Sequence, residues 1–290
     1  MNTDCAFYIG TTHEVCQDYA LSNNNSIVIS DGCSGSKHSD IGARVLNITA
    51  INKIKELDSL FYFDEKECIL LARPTIKMLN ISNECLDATL LVAKFYEFND
   101  DEGKKIQTLE SMCYGDGAIV IKTKDGDITI IDSIYTDSYP YYINYMYDKT
   151  GRYENWIRNH NNHKVNVSTI KPDGSIIKNE EFIQQTRIKN IGLLHYRENK
   201  TWVELVGIED IEYIAIMSDG IHSFYKTIIT ETSKYNKSIP YLEVLKELLT
   251  FKSFSGKFVQ RRINKFRKNC AKKNWANNDD LSLAVIYTGE

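Results

Sequence analysis

Two short stretches far apart in the chain share one local pattern. An apolar run leads into Ser30-Asp31-Gly32, and another leads into Ser218-Asp219-Gly220. A third acidic pair, Asp279-Asp280, directly precedes the last apolar run. Each acid therefore stands at the end of a rigid, buried element, and glycine after aspartate lets the backbone turn sharply and approach a ligand. Carboxylates gathered in one place repel one another. Hard divalent cations neutralise them through oxygen ligands, and two such ions side by side activate water and stabilise in-line displacement at phosphorus. No histidine and cysteine set spaced for zinc competes with this reading. A lone Asp-Gly is ordinarily a turn, which is the expectation for Asp125-Gly126. The repetition, together with Asp279, is what points to a metal site.

The elements that must position these acids are short apolar runs bounded by turn residues. Ser26 to Ser30, Asp87 to Ala93, Ile211 to Ser218 and Leu281 to Thr288 read as buried strands. Gly117 to Lys122 and Asp127 to Asp132 flank Lys-Asp-Gly and read as a hairpin. Helical periodicity spans Asp40 to Leu57, with Ile41, Val45, Ile48, Ile51 and Ile54 on one face and Ser39 or Asp40 as cap. Further helices are expected near Tyr241 to Phe251 and Gly256 to Lys273. Strands, then helices, then strands without regular alternation predict a mainly antiparallel α/β sandwich.

The 290 residues, with 42% apolar content, can build a sizeable core. No linker or solenoid repeat divides them, so one domain over 1–290 is expected, with an irregular Tyr- and Asn-rich insertion around 136–165. A net charge of −4 does not suit general attraction to nucleic acid or anionic lipid. No apolar run approaches a membrane span, and nothing at the N-terminus reads as a signal peptide. Seven scattered cysteines without a CxxC pair fit a reduced, cytoplasmic setting.

Read in order, Gln17-Asp18, Ser30-Asp31-Gly32, Gly42-Ala43, Asp87-Ala88-Thr89, Gly115-Asp116-Gly117, Ser218-Asp219-Gly220 and Asp279-Asp280-Leu281-Ser282 resemble the motif series of the PP2C-like (PPM) protein phosphatases. The match runs from about residue 10 to the C-terminus, and the order is more specific than any one motif. The resemblance implies a four-layer α-β-β-α sandwich and a metal-dependent serine/threonine phosphatase with two Mg²⁺ or Mn²⁺ ions and room for a third. It implies that Asp31 bridges the ions, that the Gly32 carbonyl binds one, and that Asp219 and Asp279 complete the site. Asp18 would hold metal-bound water, and Asp116 would serve the third ion. Asp280 stands where the family often has Asn and could share the ligand role with Asp279. The implied partners are a phosphorylated protein substrate and a regulating kinase.

Two positions depart from the family pattern. His13 replaces an arginine five residues before Asp18. Arginine grips phosphate with a charged fork, whereas histidine donates fewer hydrogen bonds and is charged only at lower pH. His13 is nonetheless expected to contact substrate phosphate, and is grouped with Asp31 and Asp219 as catalytic. Cys33 follows Asp31-Gly32 where some members have a histidine that acts as general acid, so proton delivery to the leaving oxygen falls to water. Cys16 and Cys33 are either oxidation-sensitive or simply small packing residues.

Other signals carry less. Gly32 to Lys37 lacks the spacing of a phosphate-binding loop and reads as the turn into the Asp40 helix. His160 and His163 alone do not define a metal site. Lys257, Arg261, Arg262, Lys265, Arg267, Lys268, Lys272 and Lys273 are strongly basic, while Val259, Ile263, Phe266 and Cys270 recur at helical spacing, which predicts a packed face and a charged one. Two alternatives to the enzyme remain: a catalytically weak or inactive PP2C-like scaffold that binds a phosphoprotein or kinase, and a nucleic-acid binder acting through that helix, the latter disfavoured by the acidic whole.

Overall fold

The computed structural model of the chain describes residues 1–135, 140–148, 150–159, 163–179, 185–188, 192–197, 200–230 and 233–289. In chain order its strands begin with β1 (Asn2–Tyr8), β2 (Asp18–Ser22), β3 (Ser26–Asp31), β4 (Leu90–Asn99), β5 (Lys105–Tyr114), β6 (Gly117–Thr123) and β7 (Ile128–Tyr135). They continue with β8 (His163–Ile170), β9 (Ile176–Asn179), β10 (Gln185–Ile188), β11 (Gly192–Arg197), β12 (Lys200–Val206) and β13 (Ile211–Met217). The last are β14 (Phe224–Ile229), β15 (Lys234–Ser238), β16 (Trp275–Asn277) and β17 (Leu281–Tyr287). The α-helices are α1 (Ser39–Glu56), α2 (Glu65–Met78), α3 (Arg152–Asn159), α4 (Tyr241–Leu248) and α5 (Phe258–Lys273).

Among the described residues the strands form two seven-stranded sheets, ordered β1-β17-β13-β6-β7-β8-β9 and β10-β11-β12-β5-β4-β3-β2, with a small β15-β14-β16 sheet beside them. Neighbours within the two large sheets run antiparallel. Alternation along each strand separates the layers, because successive side chains leave opposite faces. On β6, Ile119 and Ile121 join β3 residues Ile27 and Ile29 between the sheets. Ala118 and Val120 point the other way, onto Leu245, Val259 and Phe266 of α4 and α5. On β3, Val28 faces outward onto Ala43, Leu46 and Ala50 of α1. The result is a four-layer sandwich: α4 and α5, sheet, sheet, α1 and α2.

The expected hairpin is present, with Gly126 in its turn at φ 98°. Helix α1 departs from the expected stripe. Ala43, Leu46, Ala50 and Ile54 meet the sheet, Ile41 and Val45 meet α2, and Ile48 is 49% exposed. Small residues let the helix lie close to its neighbours, so the branched ones do not form a single inward face. Neither Ser39 nor Asp40 caps it: His38 holds that position at φ 60° without a side-chain cap, Ser39 Oγ accepts from Gln17 Nε2, and Asp40 pairs with Arg44. The strand expected from Asp87 starts at Leu90, after a 3₁₀ turn over Asn83–Leu86.

Within the Tyr- and Asn-rich stretch, Thr136, Tyr139 and His160 lie outside the described residues. Ile143–Tyr147 form a 3₁₀ turn, and α3 follows. Tyr141, Tyr142, Tyr145 and Trp156 are buried in the outer core against α1 and β4, so the rings roof that layer. No described helix is long and apolar enough to cross a membrane.

Candidate metal and active site

The acids converge where strand ends meet. Asp18 opens β2 and lies directly across from Asp31 at the end of β3. Beyond Asp31 the chain stays extended: Gly32 bridges Ala88, the Cys33 N–H donates to the Asp87 carbonyl, and the Asp31 N–H donates to Thr89 Oγ1. The Asp87-Ala88-Thr89 motif thus holds the backbone that carries Asp31. In the facing sheet, Met217 of β13 pairs with Leu283 of β17, which brings Asp219, in the 3₁₀ turn after β13, beside Asp279, just before β17. Asp116 occupies the tight turn between β5 and β6, where Gly115 and Gly117 take positive φ.

Serine joins the two halves. Ser218 Oγ donates to Asp18 Oδ2 at 2.6 Å and accepts the Ser282 N–H at 2.9 Å, tying the β13–β17 pair to an acid of the opposite sheet. Its counterpart Ser30 donates to Asn47 Oδ1 on α1 at 2.7 Å. Close approach also matters at Gly220, where a Cβ would sit 1.7 Å from the Asp280 carbonyl oxygen.

The electrostatics are those of crowded acids. Asp31 hydrogen-bonds Asp219 and Asp18, and its pKa is held well above the usual carboxylate range by burial and then by Asp18, Asp219 and Asp279. Burial first and Asp219 next do the same to Asp116. Burial raises Asp18 to about 7, and burial with Asp219 raises Asp279 to about 6. Asp18 is fully buried, while Asp31, Asp116, Asp219 and Asp279 keep an edge to solvent even though protein atoms crowd their carboxyls. Among the described residues no three such side chains are already drawn in as a ligand set; Asp219 lies near enough to Asp31 to help hold its proton on. Asp18 Oδ1 and Asp219 Oδ1 are nevertheless buried with no hydrogen-bond partner. An all-oxygen donor set with orphaned buried oxygens suits a hard divalent cation.

Asp280 is placed differently from the other acids. It is buried, and its two oxygens accept the N–H groups of Gly10 at 2.7 Å and Gln17 at 2.6 Å. It therefore pins both ends of the 10–17 loop to β17. His13, within that loop, sits at the rim with Nδ1 3.1 Å from Asp280 Oδ2, off the line of a good hydrogen bond, and Nε2 3.6 Å from Asp279 Oδ1. Burial opposes its charge, but Asp280 and Asp279 outweigh that and raise its pKa.

Tyr142 was not singled out by the sequence. Its hydroxyl hydrogen-bonds Cys33 and lies within electrostatic reach of Asp116 and Asp31, and the Tyr141 carbonyl crowds Gly115. No motif surrounds Tyr142; the signals for the place are its partner Cys33, inside the first Asp-Gly motif, and the Tyr-rich stretch itself, which reads from sequence either as a cover over the metal cleft or as a roof of the core. Several other signals resolve as structural. Burial, with Asp280 and Asp18, pushes the Cys16 thiol up and away from reactivity. Ser36 bonds Asp87, which Asn144 and Arg152 also hold, so the Gly32 to Lys37 stretch is a turn into α1. His163 lies 2.7 Å from Ser133 Oγ and stacks on Tyr135.

The sequence profile of the family described as Protein phosphatase 2C matches residues 10–266. Among solved structures, the PPM Ser-Thr phosphatase MsPP from Mycobacterium smegmatis, in complex with cacodylate, is 12% identical, with 100% of this chain and 99% of that one covered and a TM-score of 0.48. The Mycobacterium tuberculosis serine/threonine phosphatase PstP/Ppp is 11% identical over 98% and 96%, with a TM-score of 0.45. The serine-threonine phosphatase 2C from Toxoplasma gondii is 10% identical over 99% and 94%, with a TM-score of 0.44. Among curated proteins, none matches the chain significantly in sequence.

Proposed function

The chain belongs to the protein phosphatase 2C family, and from that premise we propose that it is a metal-dependent phosphatase acting on phosphoserine and phosphothreonine of proteins. One observation carries the reading: Asp31 crowded by Asp18, Asp219 and Asp279, with Asp219 and Asp279 also close enough to raise the pKa of Asp116. Asp31, Asp219 and Asp279, with the Gly32 carbonyl, would hold two Mg²⁺ or Mn²⁺ ions, and Asp116 would hold a third. Bound there, the ions supply Lewis acidity that activates water and neutralises charge at phosphorus.

The protein's own groups do the rest. Ser218 fixes Asp18, whose Oδ1 is left to accept a proton-bearing partner such as water. Asp280 fixes the loop that presents His13 at the rim, and His13, whose pKa Asp280 and Asp279 raise against burial, would donate toward a phosphoryl oxygen. Cys33 stands where some members have a histidine, and a thiol forms only weak hydrogen bonds, so solvent in the pocket would supply the proton to the leaving alkoxide. Seven unbridged cysteines fit the reducing interior of a cell, where a partner kinase would supply the phosphorylated substrate. One domain spanning 1–290 is supported by cores that draw on both ends of the chain.

The test is turnover of an aryl phosphate and a phosphothreonine peptide with Mn²⁺, with Mg²⁺ and with chelator. Metal-dependent turnover lost in Asp31→Asn and Asp219→Asn is the expected result. A second reading, a non-catalytic scaffold for a phosphoprotein or kinase, is favoured by His13 standing where the family carries arginine. Absence of turnover under every metal condition would favour it over the first.

A further inference from the structure

Helix α5 carries more cations than its packing uses. Phe258, Val259, Ile263, Phe266 and Cys270 face the core. Arg262 also turns inward and donates to the Leu248 and Glu247 carbonyls at the end of α4. On the outside, Arg261, Lys265, Lys268 and Lys272 are all exposed. Their spacing of four, three and four residues sets them in one stripe, about 16 Å long at the helical rise. The helix contains no acidic residue, so like charges meet at each step, which weakens an isolated helix.

The neighbouring cations are answered and these are not. Lys257 faces Asp4 at 3.8 Å, Lys273 pairs with Glu247 at 2.9 Å, and Arg267 lies over the Tyr8 ring. Arg261 reaches only the Ser255 carbonyl, and Lys265, Lys268 and Lys272 have no ion pair among the described residues. The helix dipole favours cations at the C-terminal end but not Arg261 in the first turn.

The stripe also leads to the carboxylate pocket. Asp4 of β1 accepts the Val259 N–H at the start of α5, and Arg267 lies over Tyr8 at the far end of β1. There β1 runs on to Gly10, which Asp280 holds. The chain leaving α5 passes through β16 directly to Asp279.

We propose that this stripe docks an acidic segment of the protein substrate, next to the phosphorylated side chain that enters the pocket; the inference rests on the phosphatase reading. About five extended residues cover the length of the stripe. A short acidic peptide meets only the stripe, whereas a long nucleic acid also meets the rest of a molecule with net charge −4.

The test uses the full-length chain with Mn²⁺ and two fluorescein-labelled phosphothreonine peptides, one flanked by five acidic residues and one by Asn and Gln. Fluorescence anisotropy compares the wild type with the triple variant Lys265→Glu, Lys268→Glu, Lys272→Glu. The wild type binds the acidic peptide about tenfold more tightly than the neutral one, and both the variant and about 0.5 M NaCl remove the difference. KM for the acidic peptide rises in the variant by a similar factor, while kcat and aryl phosphate turnover hold. Equal binding of the two peptides by the wild type, or discrimination that survives in the variant, overturns the docking surface. Stripe-dependent binding of a single-stranded oligonucleotide more tightly than the acidic peptide overturns it as well. Discrimination without any aryl phosphate turnover upholds the acidic-segment surface and overturns the phosphatase reading alone.

Discussion

Asp31 meets two other carboxyls before any ligand is considered, and this crowding has measurable consequences. Asp31→Asn replaces a carboxyl that the crowded cluster keeps protonated with a neutral amide, so near pH 7 the protein in chelator should gain about 1 kcal/mol of stability. The same change should abolish the rise in Tm that Mn²⁺ gives the wild type, which differential scanning fluorimetry with and without EDTA would read. The pH dependence has a definite sign. Asp279 is raised to about 6 and Asp18 to about 7, against about 4 for an ordinary carboxyl. Below pH ~4 both folded and unfolded chains hold these protons and the groups contribute nothing. As pH climbs to 7 the unfolded chain ionises first, so stability falls, and above 7 the loss is complete. Urea denaturation in EDTA at pH 5 and pH 8 should show this fall, with a smaller one in Asp18→Asn. A wild type that became more stable across that window relative to Asp18→Asn would contradict the crowding.

Elements owe their placement to single contacts that the sequence pattern only partly announces. Asp280 was read as a possible metal ligand beside Asp279, yet its oxygens hold the N–H groups at the two ends of the His13 loop. Asp280→Ala leaves two N–H groups without acceptors and should cost about 2–3 kcal/mol, seen as a lowered urea midpoint with an unchanged m-value. Helix α1 shows how a regular pattern misleads. Isoleucines at helical spacing suggested one buried stripe, but Gly42 sits where a Cβ would meet the Cys85 carbonyl oxygen at 1.6 Å. Small residues therefore set the contact face, and the isoleucines divide between neighbours and solvent. Gly42→Ala should destabilise by about 2–3 kcal/mol through overpacking, more than Ile48→Ala at its exposed position, as thermal denaturation of the pair would show.

The whole molecule depends on two sheets packed face to face, with their strand ends coming together at one end. Ser218 is the clearest link, since its hydroxyl serves Asp18 in one sheet while its neighbours pair with β17 in the other. Ser218→Ala should lower stability by about 1–3 kcal/mol, because Asp18 loses its donor and Ser282 N–H its acceptor. It should also weaken Mn²⁺ binding, which isothermal titration would measure. The sandwich, its strand ends and the acids at those ends were legible in the sequence, because alternation and apolar runs are local and each Asp-Gly marks where a run stops. Which acids share a pocket is not local. Asp280 and Asp279 are adjacent in sequence, yet in the bend before β17 one accepts the Gly10 and Gln17 N–H groups while the other stays beside Asp219. Tyr142 and Cys33 meet from segments more than a hundred residues apart, and no period or motif encodes that meeting. Burial, the crowding of the carboxyls and the long-range pairing of Ser218 with Asp18 arise only when the two sheets close on each other.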